Sequence, residues 1–234
     1  MNLADMHIGA KECDIDKINK LIEFVKATPS LYISIGGDML NHATTTSKSS
    51  VFEEEFHGNE QLFYLYGLLE PIRDRILYIR SGNHGKGRSL KHNAVVTEEI
   101  LAKLLKVPYL QGISTCIINA RKNTYVISAI HHGRKPDKLE WIGSDITYIE
   151  HVHQNLYEKR MVMTMNKFTK KWMCRPMYYI YAGTMLGYGG YGMESVYRAL
   201  ETGYPIVQLS GIPKKWSIYI WDNIDNFKRF NTSV

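Results

Sequence analysis

Leu31-Tyr32-Ile33-Ser34-Ile35-Gly36-Gly37-Asp38 decides the fold class: an apolar run rich in β-branched residues stops at two glycines and a carboxylate. A strand buried on both faces reads this way, because neither face has to carry polar side chains. RILYIRSGNH, residues 75–84, repeats the arrangement and ends on Gly82-Asn83-His84. Amphipathic stretches lie around these two runs. Ile15, Ile18, Leu21, Ile22 and Val25 recur at helical spacing behind Asp14, a residue suited to cap a helix, and Thr28-Pro29 stops them. Leu62, Leu65, Tyr66 and Leu69 predict a second helix ending around Pro71. A third spans Thr97 to Lys106, with Thr97 as cap and Glu98 and Glu99 in the first turn, where carboxylates suit the helix dipole. Strands alternating with helices predict an α/β fold.

After about residue 112 the pattern changes to strands. ISTCIIN, NTYVISAI, DITYIEHVH, KRMVMTMN, MYYIYAG, PIVQLS and WSIYIWD are rich in β-branched and aromatic residues. No linker, fixed-period repeat or long low-complexity tract divides the chain, so residues 1–234 are expected to form a single domain of two packed sheets. With 234 residues, 44% hydrophobic and 22% charged, the composition is that of a globular protein and excludes disordered and fibrous classes. Three widely spaced cysteines, Cys13, Cys116 and Cys174, argue against a disulfide framework or a thiolate zinc cluster and for a reducing compartment. No run of about 18 apolar residues and no signal-peptide core is present, so a soluble, cytoplasmic protein with no membrane partner is expected. The 29 Lys and Arg exceed the 23 Asp and Glu by a net +6, which favours an anionic partner.

Five polar clusters stand where apolar runs end: Asp5-Met6-His7, Gly37-Asp38, Gly82-Asn83-His84, His132-Gly133 and His151-Val152-His153. Strand ends converge on one crevice in open α/β sheets, so residues scattered through the chain meet there. Carboxylates, an amide and imidazoles are oxygen and nitrogen donors, suited to divalent Mn, Fe, Zn or Ni. Each motif alone reads more readily as a turn or as polar surface. Five of them in series predict a two-metal centre, with Asp38 or Asp5 as the bridging carboxylate. Two dipositive ions against two aspartates leave an excess of positive charge that selects anionic substrates.

DMH, GGD, GNH, HG and HVH in this order resemble the motif series of the calcineurin-like metallophosphoesterases, from Asp5 to His153. AGTMLGYGGYG and PIVQLSG downstream more loosely resemble phage-type members of that superfamily, which act inside a bacterial host. The resemblance implies a four-layer α/β/β/α sandwich, two mixed sheets flanked by helices, with two divalent metal ions, Mn first among them, at one edge. It gives Asp5, His7 and His153 to one metal, Asn83, His132 and His151 to the other, and Asp38 to both. His132 is preferred to His131 because the family's ligand immediately precedes Gly. His84 takes the place of the histidine that contacts the scissile phosphate, and the implied reaction is in-line attack by a metal-bridging hydroxide with His84 assisting the leaving group.

Two positions depart from the family's pattern. Gly85 stands where an acidic residue usually orients the preceding histidine, so that support is either missing or supplied from elsewhere. Glu150 stands where Gly is usual, its charge either near the site or turned to solvent. Candidate substrate-reading residues are Asn41 and His42 after the bridging Asp38, Lys86 and Arg88 after the GNH motif, and Tyr188 and Tyr191 as stacking faces for a base or ribose. The expected function is hydrolysis of phosphodiesters in DNA, RNA or a nucleotide. The alternatives are a small-molecule phosphatase or cyclic-nucleotide phosphodiesterase, and a non-catalytic binding protein on the same scaffold.

Overall fold

A computed structural model describes residues 1–47, 50–133, 135–166, 168–189, 193, 201–213 and 215–231. The N-terminal half alternates strands and helices: β1 (Asn2–Leu3), α1 (Ile15–Ala27), β2 (Ile33–Ile35), α2 (Asn59–Leu69), β3 (Ile76–Arg80), the short α3 (Lys91–Asn93), α4 (Thr97–Leu105) and β4 (Tyr109–Leu110). These four strands form one wholly parallel sheet in the order β1-β2-β3-β4. The second half supplies β5 (Ser114–Ala120), β6 (Asn123–His131), β7 (Ile146–Glu150), β8 (Tyr157–Asn166) and β9 (Lys171–Tyr181). They make a mixed sheet in the order β5-β6-β7-β9-β8. A small antiparallel pair, β10 (Ile206–Leu209) with β11 (Ile218–Trp221), and a final helix α5 (Ile224–Asn231) complete the described fold.

Helix α1 begins as its sequence dictates: the Asp14 carboxylate accepts the Lys17 N–H at 2.9 Å. Such a cap is worth about 1 kcal/mol. Thr97 behaves differently. It is the first residue of α4 rather than its cap, and its hydroxyl is engaged by neighbouring side chains.

Alternation along the strands sorts the core into layers. Ile33, Ile35 and Ile79 face α1, α2 and α4, meeting Leu21, Val25, Leu65 and Leu101. Tyr78 and Leu77 of β3 meet Tyr125, Ile146, Tyr148 and Ile180 of the mixed sheet, so the two sheets pack face to face. On the mixed sheet's far side Ile130, Ile149, Met177 and Tyr179 are covered by Leu139 and Ile142, which lie in or beside short 3₁₀ turns. The helix–sheet–sheet order is as expected, with two differences. The first sheet is parallel rather than mixed, and among the described residues the fourth layer consists of 3₁₀ turns. Among the described residues no helix is long and apolar enough to cross a membrane.

Candidate metal centre

The carboxyl ends of β1, β2, β3, β6 and β7 meet at one edge: the first three strands are parallel to one another, β6 runs parallel to β7, and the contacts of His131 with Asp38 and of the His151 N–H with Asp5 join the two sheets' ends. After β1, β2 and β7 the chain turns sharply. Asp5, His7, Asp38, His151 and His153 all have positive φ, between 51° and 77°. The left-handed conformation costs a non-glycine residue about 1–2 kcal/mol, and such strain persists only where surrounding contacts over-determine it. Here backbone bonds supply them: Asp5 N–H donates to Gly37 C=O at 2.8 Å and His7 N–H to Asp38 C=O at 3.1 Å. Thr184 Oγ1 and the Met185 N–H also donate to the Asp5 carbonyl, at 2.6 and 3.2 Å, and Tyr204 donates to Ala4. The AGTM segment thus braces the first ligand loop from behind.

Gly37 and Gly82 are needed for close approach rather than for unusual φ. A Cβ on Gly37 would lie 2.5 Å from the Gly82 Cα and collide with the His131 ring; one on Gly82 would lie 2.6 Å from the Asp38 nitrogen and collide with its carboxylate.

Two groups of donors result. Asp5, Asp38, His131 and His151 place ligand atoms within 4.8 Å of one another, and Asp5, His7 and His153 do the same. Asp5 belongs to both groups, whereas Asp38, the bridge implied by the family pattern, lies in the first only. The first group runs from two buried carboxylates to an exposed His151, so it opens to solvent.

His131 stands where His132 was expected. β6 runs through His131, whose Nε2 lies 3.1 Å from Asp38 Oδ2 and 2.9 Å from Asn83 Oδ1. His132 follows the strand end and is exposed. The end of β6 thus carries His131 into the cluster, while His132 beyond it is turned to solvent. Asn83 joins it through His131. Register pairs His131 with Glu150 on β7, and Glu150 Oε2 lies 3.2 Å from His131 Nδ1.

Glu150 points inward. It is fully buried, accepting from Arg80 Nη1 at 2.8 Å, Asn2 Nδ2 at 2.9 Å and Gly37 N–H at 3.0 Å. It fixes which face of the His131 ring meets Asp38, the arrangement by which carboxylates orient metal-binding imidazoles. Burial works against its charge, but Arg80 and His131 outweigh that and hold its carboxyl below the usual range.

The donor set fits a divalent cation. His7 Nε2 and His153 Nε2 face each other at 3.2 Å, with Asp5 Oδ1 3.5 Å from His153 and, though buried, without another hydrogen-bond partner among the described residues. At most one proton can lie between two neutral imidazole nitrogens, while a cation would satisfy both lone pairs and the orphaned oxygen. Around His131 Nε2, two oxygens likewise converge on one nitrogen. Neighbouring charges act on the two groups in opposite directions. Burial, then His84 and His153, push His7 well below its usual range. Burial opposes charge on His131, yet its bonds to Asp38 and Glu150 prevail and push it up to about 10. Burial likewise disfavours the Asp38 carboxylate, but His84 and His131 hold its pKa well below the ordinary range.

His84 adjoins the cluster without joining either donor group. Its N–H donates to Asp38 Oδ1 at 2.8 Å, its Nε2 is 3.7 Å from Asp38 Oδ2, and its ring meets that of His7 edge-on at 4.6 Å. It opens a π-helical turn, His84–Leu90. Arg88 in that turn donates to the Asn41 carbonyl at 2.8 Å. Asn41 is buried, its amide donating to Glu54 Oε1 at 3.0 Å, and His42 Nε2 lies 3.0 Å from Thr97 Oγ1. Asn41 and His42 are therefore occupied in holding the loop. Lys86 and Tyr188 are exposed; Tyr188 follows Gly187, whose N–H donates to Glu12 C=O at 2.8 Å. Tyr191 lies outside the described residues.

No known family's pattern matches the chain, and no curated protein matches it. Among solved structures it is similar to vacuolar protein sorting 29 from Cryptosporidium parvum, with 15% identity, 94% of each chain covered and a TM-score of 0.46. It is also similar to the nuclease MPE of Pseudomonas putida, with 11% identity, 81% of this chain and 74% of that chain covered and a TM-score of 0.41.

Proposed function

We propose that the chain is a calcineurin-like metallophosphoesterase that hydrolyses phosphodiesters, with nucleic acid or a nucleotide as substrate class. The observation that carries this reading is the pair of nitrogen and oxygen donor groups sharing Asp5, with His84 beside them but outside both. Asp5, His7 and His153 would hold one divalent ion, and Asp38, His131, His151 and Asn83 with Asp5 a second. Bound there, such ions supply Lewis-acid polarisation of a phosphate and a water activated at neutral pH. The chain's own residues do the rest. His84 offers its ring to a phosphate oxygen or leaving oxygen at the face it shares with His7 and Asp38. Arg88, half-buried behind it, adds a fixed positive charge that attracts a phosphate. Glu150 and Arg80 keep the His131 ring in place while the substrate binds. The net charge of +6 supports a polyanionic substrate.

The test is turnover of bis-p-nitrophenyl phosphate against p-nitrophenyl phosphate with Mn, followed by single- and double-stranded DNA. The diester is expected to be the better substrate, and equal or faster monoester turnover would favour a phosphatase instead. His84→Ala is expected to lower kcat by about 10²-fold with metal content unchanged, because it removes a proton-handling group and no ligand. Arg88→Ala should act mainly on KM. Loss of bound metal in His84→Ala would place His84 among the ligands and contradict this assignment.

A further inference from the structure

The residue after His84 is glycine, yet the space its side chain would occupy is filled. A Cβ built on Gly85 would lie 2.5 Å from the Cδ of Glu98 and collide with both its carboxylate oxygens. Glu98 comes from the first turn of α4, a different element, and is completely buried. Gly85 does not have positive φ, so its backbone would accept a side chain; what excludes one is the Glu98 carboxylate.

That carboxylate touches both ends of the loop that presents Asn83 and His84. Ser81 Oγ, where β3 leaves the sheet, donates to Glu98 Oε2 at 3.3 Å, and Gly85 closes against the same group on the other side. Thr97 Oγ1 donates to it at 3.3 Å and reaches His42 Nε2 at 3.0 Å, which ties in the loop after Asp38. Its Oε1 has no hydrogen-bond partner among the described residues, a cost that a purely structural carboxylate would be expected to avoid. Burial pushes its carboxyl up to about 7, so holding a charge here is expensive.

We infer that Glu98 is a positioning residue for the Asn83-His84 corner, an acid delivered from α4 into the place that a side chain at position 85 would otherwise fill. It rests on the phosphodiesterase reading for its effect on turnover, but not for its effect on the His84 ring. A group that orients a neighbour of a metal site typically contributes about 10–100-fold to activity.

The experiment moves the acid. Glu98→Ala, Gly85→Asp/Glu98→Ala and Gly85→Ala/Glu98→Ala are compared by Mn content, thermal melting, diester kcat and KM, and, on the diamagnetic Zn-loaded proteins, the imidazole ¹⁵N–¹H spectrum, with the His84 signal assigned by its loss in His84→Ala. Glu98→Ala is expected to lower kcat at least tenfold at near-constant KM and Mn content, and to shift or broaden the His84 signal. Gly85→Asp/Glu98→Ala should recover most of both, and Gly85→Ala/Glu98→Ala, which refills space without an acid, should recover neither. If Glu98→Ala does not fold, Glu98→Gln replaces it, with the same kcat and His84 changes expected. Unchanged kcat and His84 signal in the folded Glu98 variant, or equal rescue by both double variants, overturns the inference. A wild-type protein that cleaves no diester defeats the functional reading alone, since the His84 spectrum still decides whether Glu98 positions the ring.

Discussion

His131→Ala is expected to abolish stoichiometric Mn binding at the first donor group and to cut diester turnover by at least 10²-fold, while His132→Ala stays within about twofold of wild type. The contrast follows from one strand end. His131 is the last residue of β6, and its two ring nitrogens are both engaged, Nε2 by Asp38 and Asn83 and Nδ1 by Glu150. Removing it deletes a ligand atom and leaves Asp38 and Glu150 facing each other across a void with less opposing charge. His132 is exposed, and among the described residues it makes no hydrogen bond or ion pair to the cluster. Losing a protein ligand from a four-membered group costs affinity directly, and the accompanying loss of turnover is a transition-state loss of roughly 3 kcal/mol or more for a 10²-fold fall. Calorimetric Mn titration of the two variants side by side, with the diester assay, decides between the two histidines. Full activity in His131→Ala would restore His132 to the ligand set.

Glu150→Ala is expected to produce the largest loss of stability of any single change at the site. The Arg80–Glu150 pair is 2.8 Å apart, with the two side chains 5% and 0% exposed. Deleting one partner of a buried ion pair leaves the other charge uncompensated and costs about 3–5 kcal/mol. Here Asn2, the Gly37 N–H and His131 lose their acceptor as well. The loss is measured by urea unfolding at neutral pH. Arg80→Met/Glu150→Met, which removes both charges while roughly keeping volume, should recover the part of the loss due to the unpaired Arg80 charge but not the part due to the acceptor that Asn2 and Gly37 lose, and should still bind Mn poorly, because His131 is then unoriented. A destabilisation below about 1 kcal/mol for Glu150→Ala would mean that the pair is hydrated and does little to hold the site.

The layered fold was legible because burial leaves a periodic trace. Buried parallel strands read as unbroken apolar runs, and α1 showed both its stripe and its Asp14 cap. The convergence of Asp5, His7, Asp38, Asn83 and the His151/His153 pair was legible from strand ends alone. What escaped was set by register and by tertiary approach. The choice of His131 over His132 depends on where β6 ends and on its pairing with Glu150, and a motif that favours the histidine before glycine selects His132, which lies exposed beyond the strand end. His151 and His153 do not share a strand face; they leave β7 in left-handed conformations, a cost that composition does not reveal. The inward turn of Glu150 required Arg80, 70 residues away, to make its burial affordable. Glu98 read as an ordinary first-turn carboxylate, and only the collision with a side chain at 85 shows where its head lies. The Thr184 hydroxyl bonding back to Asp5 is likewise a contact across 179 residues.

The most direct test of the account is reconstitution of metal-stripped protein with Mn, read as cleavage of bis-p-nitrophenyl phosphate. No turnover is expected without metal, a saturable rise is expected as Mn is added, and none in Asp5→Ala, which removes the ligand common to both donor groups. A wild-type chain that neither binds Mn nor gains diester cleavage from it would contradict the account.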